Sequence, residues 1–187
     1  ADVVEQATSA FEAFNYTKAL EVTETFFWAF CDDHLELVKD RAYGLYGDDA
    51  ARSAKSALAI ALETMLKLFA PFLPFVAEEV WSWWQSGSVH TSSWPNANEL
   101  TAIGGNVEVL DVAAVALSQL RKVKSEAKVS MRAQLANVSI SAPAQQAKLL
   151  QLITRDLIAA GRVEGEIAIT ESTAALTVNA TLVATDN

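Results

Sequence analysis

The stretch that most constrains this chain is Leu66 to Trp81, LKLFAPFLPFVAEEVW, where two prolines three residues apart separate two apolar-periodic helical patterns. Pro71 cannot donate the backbone hydrogen bond that would continue the first helix. Pro74 has its φ already near the value that a first helical turn needs, so the turn is stiff. The corner is rich in large apolar residues: Phe69, Phe72, Leu73, Phe75 and Val76. Side chains of that size contribute about 1.5 to 3 kcal/mol each when fully buried, and the sequence predicts that they surround a packed corner.

Upstream and downstream of this corner the apolar positions recur at helical spacing. Residues 2–14 read as the tail of a helix. Asn15 is placed to cap a second helix running to about Tyr43, with Leu20, Phe27, Phe30, Cys31, His34 and Val38 on one face. Gly44 and Gly47 break it. Asp48 or Asp49 caps a third helix carrying Leu58, Leu62, Met65 and Phe69, and a fourth runs from Pro74 to about Gln85. The segment from Ser86 to Pro95 then crosses back over the bundle with Trp94 as its anchor.

All 16 aromatic residues lie before position 95. That asymmetry, with the loop-like NANELTAIGGN, puts a domain boundary in the Asn96 to Asn106 stretch and predicts units at 1–97 and 98–187. The second unit reads as a small α/β (α+β) subdomain in the order helix, strand, helix, strand, strand. Its elements are a helix from Leu110 to about Lys128, a strand at Ala136 to Ser141, and a helix from Gln145 to Ala160 ended by Gly161. Strands at Gly165 to Thr170 and Leu176 to Ala184 follow, expected to be neighbours in a sheet.

Composition excludes several classes. A chain of 187 residues with 51% hydrophobic and 20% charged residues folds. No apolar run approaches the roughly 18 to 20 residues that cross a bilayer, so no membrane is expected. The single Cys31 fits a reducing cytosol. No phosphate-cradling glycine loop occurs among the 7 glycines. Cys31, His34 and His90 are too few for a structural zinc, and the carboxylates lack the paired Glu-x-x-His turns of a di-iron bundle, so neither metal nor catalytic residues are expected. Glu78 and Glu79 read as anions favoured by the dipole of the first helical turns after Pro74. The chain opens ADVVEQ inside a running helical pattern, and a piece of a longer polypeptide is expected.

A net charge of −9 opposes non-specific attraction to phosphate, so any nucleic-acid contact must be local. Two places qualify. Lys39, Arg41, Tyr43, Tyr46, Arg52 and Lys55 cluster in sequence around the break between the second and third helices. Cations mixed with aromatic rings suit the unstacked bases of an RNA loop. Arg121, Lys124, Lys128 and Arg132 form one stripe if helix persists through them, with Lys122 beside them. Both sets also fit ordinary solvated helix faces.

Three strings then agree in order over residues 11 to 95: FFWAFCDDHLELVK, PFLPFVAEEVW and SVHTSSWP. Together they resemble the helical anticodon-binding domain of class I aminoacyl-tRNA synthetases of the valine, isoleucine and leucine group. The wording around Trp28, Phe30, Cys31, Asp32, Leu35, Glu36 and Lys39 is similar to the valyl branch, with isoleucyl the nearest rival. His34 and Ala70 depart from the family's wording. RKVKSEAKVSMR, at Arg121 to Arg132, is similar to the smaller region that follows the bundle in those enzymes.

The resemblance implies an α-helical bundle of the class I synthetase anticodon-binding type followed by the small α/β subdomain. It implies a module that grips the anticodon stem-loop of a valine tRNA and presents the acceptor end to the catalytic domain of a cytoplasmic parent enzyme. The chain lacks the HIGH and KMSKS strings that such a domain would use with ATP and Mg, so no cofactor is expected here. A coiled-coil arm of the kind valyl enzymes often carry is not visible before Asn187. The competing reading is a helical protein-interaction module without RNA binding.

Overall fold

The computed structural model describes residues 1–183. It divides into two compact units, one made of residues 1–32 and 48–105, the other of residues 33–47 and 106–187.

The first unit is helical. α1 (Asp2–Glu12) and α2 (Tyr16–Ala29) pack together, joined by a turn in which the Asn15 side chain accepts from the Lys18 backbone N–H, as the capping residue predicts. α4 (Asp48–Phe69) ends at the proline corner and α5 (Pro74–Ser82) begins on Pro74. The crossing segment contains a short 3-10 turn at Val89–Thr91 and is followed by α6 (Ala97–Ala102). Trp94 anchors this segment as expected. Its Nε1–H donates to Thr8 Oγ1 at 2.8 Å, and its ring meets Phe11 edge-on with centroids 5.4 Å apart. Glu78 does more than answer a helix dipole, because it accepts from the Ser88 hydroxyl at 2.8 Å and the Val89 N–H at 3.0 Å.

The corner departs from expectation. Its core is Leu66, Ala70, Ala77, Trp81 and Val89, whereas Phe75 is 88% exposed and Leu73 and Val76 are also exposed. The cause is helical phase. Once Pro74 sets the first turn, the inward positions of α5 are Ala77 and Trp81, four apart, and residues 75 and 76 fall on the other side. Beside them Phe27, Trp28, Leu62, Phe69, Leu73 and Val76 line an apolar groove of about 370 Å³.

The helix expected from Asn15 to Tyr43 is interrupted. A π-helical turn at Phe30–His34 separates α2 from α3 (Leu35–Ala42), and the division between units falls within it, after Asp32. The second division falls after Gly105, inside the predicted Asn96 to Asn106 stretch, but the unit limits of 1–97 and 98–187 differ at two places. Residues 33–47 join the second unit because Leu37 is fully buried in its core and α3 packs on α8. Residues 98–105 stay with the first because Ala97 and Leu100 of α6 pack on the Val4, Ala7 and Leu68 cluster.

In the second unit α7 (Glu108–Glu126), β1 (Leu135–Ala142), α8 (Ala144–Gly161), β2 (Ala168–Glu171) and β3 (Thr177–Leu182) follow in the predicted order. Residue 184, where the last strand was expected to end, lies outside the described residues. The two late strands are not neighbours: the sheet order is β2-β1-β3. β2 runs parallel to β1 (Ile140↔Ile169) after the α8 crossover, and β3 runs antiparallel on β1's other edge (Ile140↔Val178). The reason is burial. β1 sends Leu135, Val138, Ile140 and Ala142 into the core, while β2 and β3 alternate weakly and suit edges. α7 and α8 pack together and close the core over Leu117, Leu120, Leu150 and Leu157.

Gly161 is the last residue of α8, but it does not make the left-handed cap that a terminal glycine suggests; Arg162 does, at φ 52°. Glycine is needed at 161 for packing. A Cβ there would lie 2.8 Å from Leu120 Cδ1, inside the α7–α8 contact.

Candidate nucleic-acid interface

The turn from Tyr43 to Gly47 is held by α8. Arg41, in the last turn of α3, donates from Nε to Asp156 Oδ1 at 2.8 Å and from its second amino nitrogen to Oδ2 at 2.5 Å. This two-point pairing fixes the guanidinium plane. Asp156 is 1% exposed, so its charge would be costly without Arg41. The hydrogen bond to Asp156 raises the Arg41 pKa above its usual value, against the opposing effect of burial.

Tyr46 completes the clamp. Its hydroxyl donates to the Arg155 carbonyl at 3.0 Å, while the Arg155 guanidinium lies 4.2 Å over the ring and that of Arg41 lies 6.0 Å from it. Burial first, then the charges of Asp156 and Asp40, push the Tyr46 hydroxyl pKa up, which keeps it protonated as a donor. Between these fixed points Gly44 and Gly47 adopt positive φ, 87° and 92°, and the turn carries Tyr43, 79% exposed, and Leu45, 65% exposed. The result is a held loop presenting one aromatic and one aliphatic side chain, with the Arg41 and Arg155 guanidinium groups at Tyr46.

The residues singled out around the helix break thus have separate duties. Lys39 is half-exposed and pairs with Glu36 on the same helix. Arg41 and Tyr46 hold the loop, and Tyr43 is presented by it. Arg52 and Lys55 belong to the other unit, exposed on the first turns of α4, where Arg52 pairs with Asp49. Sequence reading missed Arg155, Asp156 and Leu45. Asp156 was signalled by its spacing: a lone acid next to Leu157 and three residues beyond Ile153, on the buried face of α8.

The second expected feature, a stripe of four cations, is not formed. α7 ends at Glu126, Lys128 turns left-handed at φ 55°, and the chain leaves the helix. Arg121 donates to Asp33 at 2.8 Å. Lys124 is 2% exposed, its Nζ donating to the carbonyls of Met131 at 3.0 Å and Gly161 at 2.9 Å. Burial, then the nearby Arg162 and Arg121 charges, lower its pKa. Of that set Lys128 and Arg132, with Lys122, are exposed, and Arg121 is half-buried.

The order of the fold, helices followed by a small sheet unit, agrees with what comparison of the sequence finds. Residues 1–140 match the family described as "Anticodon-binding domain of tRNA ligase", and the chain belongs to that family. Among curated relatives it is 53% identical to the valine–tRNA ligase of Cutibacterium acnes over 165 residues, covering 87% of this chain and 19% of that protein. It is 49% identical to that of Salinispora arenicola (86% and 21%). To that of Thermobifida fusca it is 52% identical (87% and 18%). The chain therefore spans about a fifth of the length of the relatives it matches.

Proposed function

We propose that this chain is the anticodon-gripping portion of a valine–tRNA ligase. It binds the anticodon stem-loop of a valine tRNA and holds the acceptor end toward a catalytic domain elsewhere in a longer cytoplasmic polypeptide, where aminoacylation uses ATP and Mg. Its contribution is binding energy and orientation: energy gained far from the reacting carbonyl serves to place it. The observation that carries this reading is the loop from Tyr43 to Gly47, held on α8 by Arg41 and Tyr46 while Tyr43 and Leu45 face solvent. A base lifted out of an RNA loop stacks on such a side chain, typically with about 1 to 3 kcal/mol at stake per base.

Filter-binding titrations of valine tRNA and a non-cognate tRNA, each at two salt concentrations, test the reading. Specific recognition keeps its discrimination ratio as salt rises, whereas a merely attractive surface loses affinity for both together. Tyr43→Ala combined with Leu45→Ala removes the presented side chains without touching the clamp. This pair is expected to weaken valine tRNA binding about tenfold at unchanged melting temperature, a loss of about 1.4 kcal/mol. Unchanged affinity would remove the loop from the interface.

A further inference from the structure

The exposed side of α8 carries Lys148 and Arg155, and Arg162 caps the helix; the three are seven residues apart in each step and all exposed. Seven residues are close to two helical turns, so Lys148 and Arg155 lie in one row about 10 Å apart along the axis, and Arg162 follows at the left-handed cap where the helix ends. The only acid on α8 is Asp156, which is buried and neutralised by Arg41. Among the described residues none of the three cations is ion-paired with a carboxylate. On a chain of net charge −9, the exposed charged residues of α8 are both cationic, with a third cation at its cap.

Two of the three are held in place. Arg155 lies against the Tyr46 ring, 4.2 Å from its centroid. Arg162 sits in the left-handed cap, where its carbonyl accepts from the Leu135 N–H at 3.0 Å. Buried Lys124 extends the row at this end. By donating to both Gly161 O and Met131 O it brings the neighbours of those residues, Arg162 and exposed Arg132, to the same corner. The opposing charges around the row are Asp40 on α3, whose charge also acts on Tyr46, Glu164, two residues past Arg162, and Glu108, which accepts from Gln145 near the start of α8.

We propose that the outer face of α8, from Lys148 through Arg155 to Arg162 with Arg132 beside it, is a rail for the sugar-phosphate backbone of an RNA strand. The strand leads away from the loop that Tyr46 secures on the same helix. The rail rests on the anticodon-binding reading and extends it, since it supplies sequence-independent contacts that position a stem while the loop reads bases. Lys124 is a positioning residue within it: its ammonium sets the corner and touches no RNA.

The test is the salt dependence of binding by the 187-residue chain and its variant Lys148→Gln, Arg162→Asn, asparagine being chosen because it tolerates the left-handed conformation. Each lost phosphate contact lowers the slope of log affinity against log salt by about 0.7 to 0.9. The double variant is therefore expected to show a slope shallower by about 1.5 and roughly tenfold weaker binding near 0.1 M salt. Both changes should be the same for valine and non-cognate tRNA. Lys148→Gln alone, in mid-helix on an exposed site, should show about half of the slope change and guards against a folding defect at the cap. Unaltered slope and affinity in a parent chain that does bind valine tRNA would overturn the rail alone, as would a loss confined to valine tRNA. A parent chain that binds no tRNA would overturn the anticodon reading, and this one with it.

Discussion

Asp156 occupies a position on α8 that the burial pattern would give to an apolar side chain, and its carboxylate is tolerable there because Arg41 reaches it with two nitrogens. Taking away one member of such a pair leaves the other uncompensated, at a cost of about 3 to 5 kcal/mol in deep interiors. Arg41 is itself partly exposed, so the cost here is smaller. Arg41→Met is expected to destabilise the second unit by about 2 kcal/mol in urea unfolding, and to weaken tRNA binding through the displaced loop. Tyr43→Ala should weaken binding without that instability. His34 gives a pH prediction. Burial lowers its pKa below 6.5, against the charges of Asp33 and Asp111, so the folded chain takes up this proton less readily than the unfolded chain. Stability is then unaffected by His34 above its unfolded pKa and is lost as pH falls through the region below 6.5. Melting curves at pH 7.5 and 5.5 should show a drop that His34→Gln reduces, and an equal drop in both proteins would refute this. At this scale the sequence identified Arg41 and Tyr46 as residues of interest but not their task. Their partners lie more than 100 positions away, and no local periodicity reports so distant a contact.

Helices and strands were far more legible than these pairs, because each carries its own periodicity. The order helix, strand, helix, strand, strand could be read from β-branched alternation and apolar stripes, and Asn15 and Pro74 mark helix starts in both sequence and structure. What could not be read was phase and long-range contact. The exposed Phe75 depends on which side of a helix meets its neighbour, and the burial of Lys124 on two carbonyls that lie 7 and 37 residues away. The pairing of β2 and β3 on opposite edges of β1 likewise follows from the crossover through α8. Gly161 tests the element-scale account. Gly161→Ala gains about 0.5 to 1 kcal/mol in helix propensity, yet it forces a methyl to within 2.8 Å of buried Leu120, and overpacking costs about 1 to 3 kcal/mol. A net destabilisation near 1 kcal/mol is expected in urea unfolding, and a stabilised variant would mean that the α7–α8 contact is looser than described.

At the scale of the whole molecule, an acidic chain is to bind a polyanion, and the conflict is resolved by placement. Acids outnumber bases 14 to 6 over residues 1–97, while 98–187 carry 9 acids and 8 bases, with Asp156 buried and neutralised and the α8 row left free of carboxylates. Unit boundaries were the feature least open to sequence reading. The aromatic asymmetry gave a cut in the Asn96 to Asn106 stretch, but a stretch of 15 residues, 33–47, leaves its sequence neighbours and packs with the second unit through Leu37. That exchange puts the loop from Tyr43 to Gly47 on the same unit as α8, so the two proposed RNA contacts belong to one unit. The most direct measurement is backbone footprinting of valine tRNA by this chain, alongside a non-cognate tRNA at equal concentration. The account predicts protection confined to the anticodon loop and its stem, strong on valine tRNA and weak on the other. Protection spread evenly over both tRNAs, or none on the anticodon arm, would contradict it.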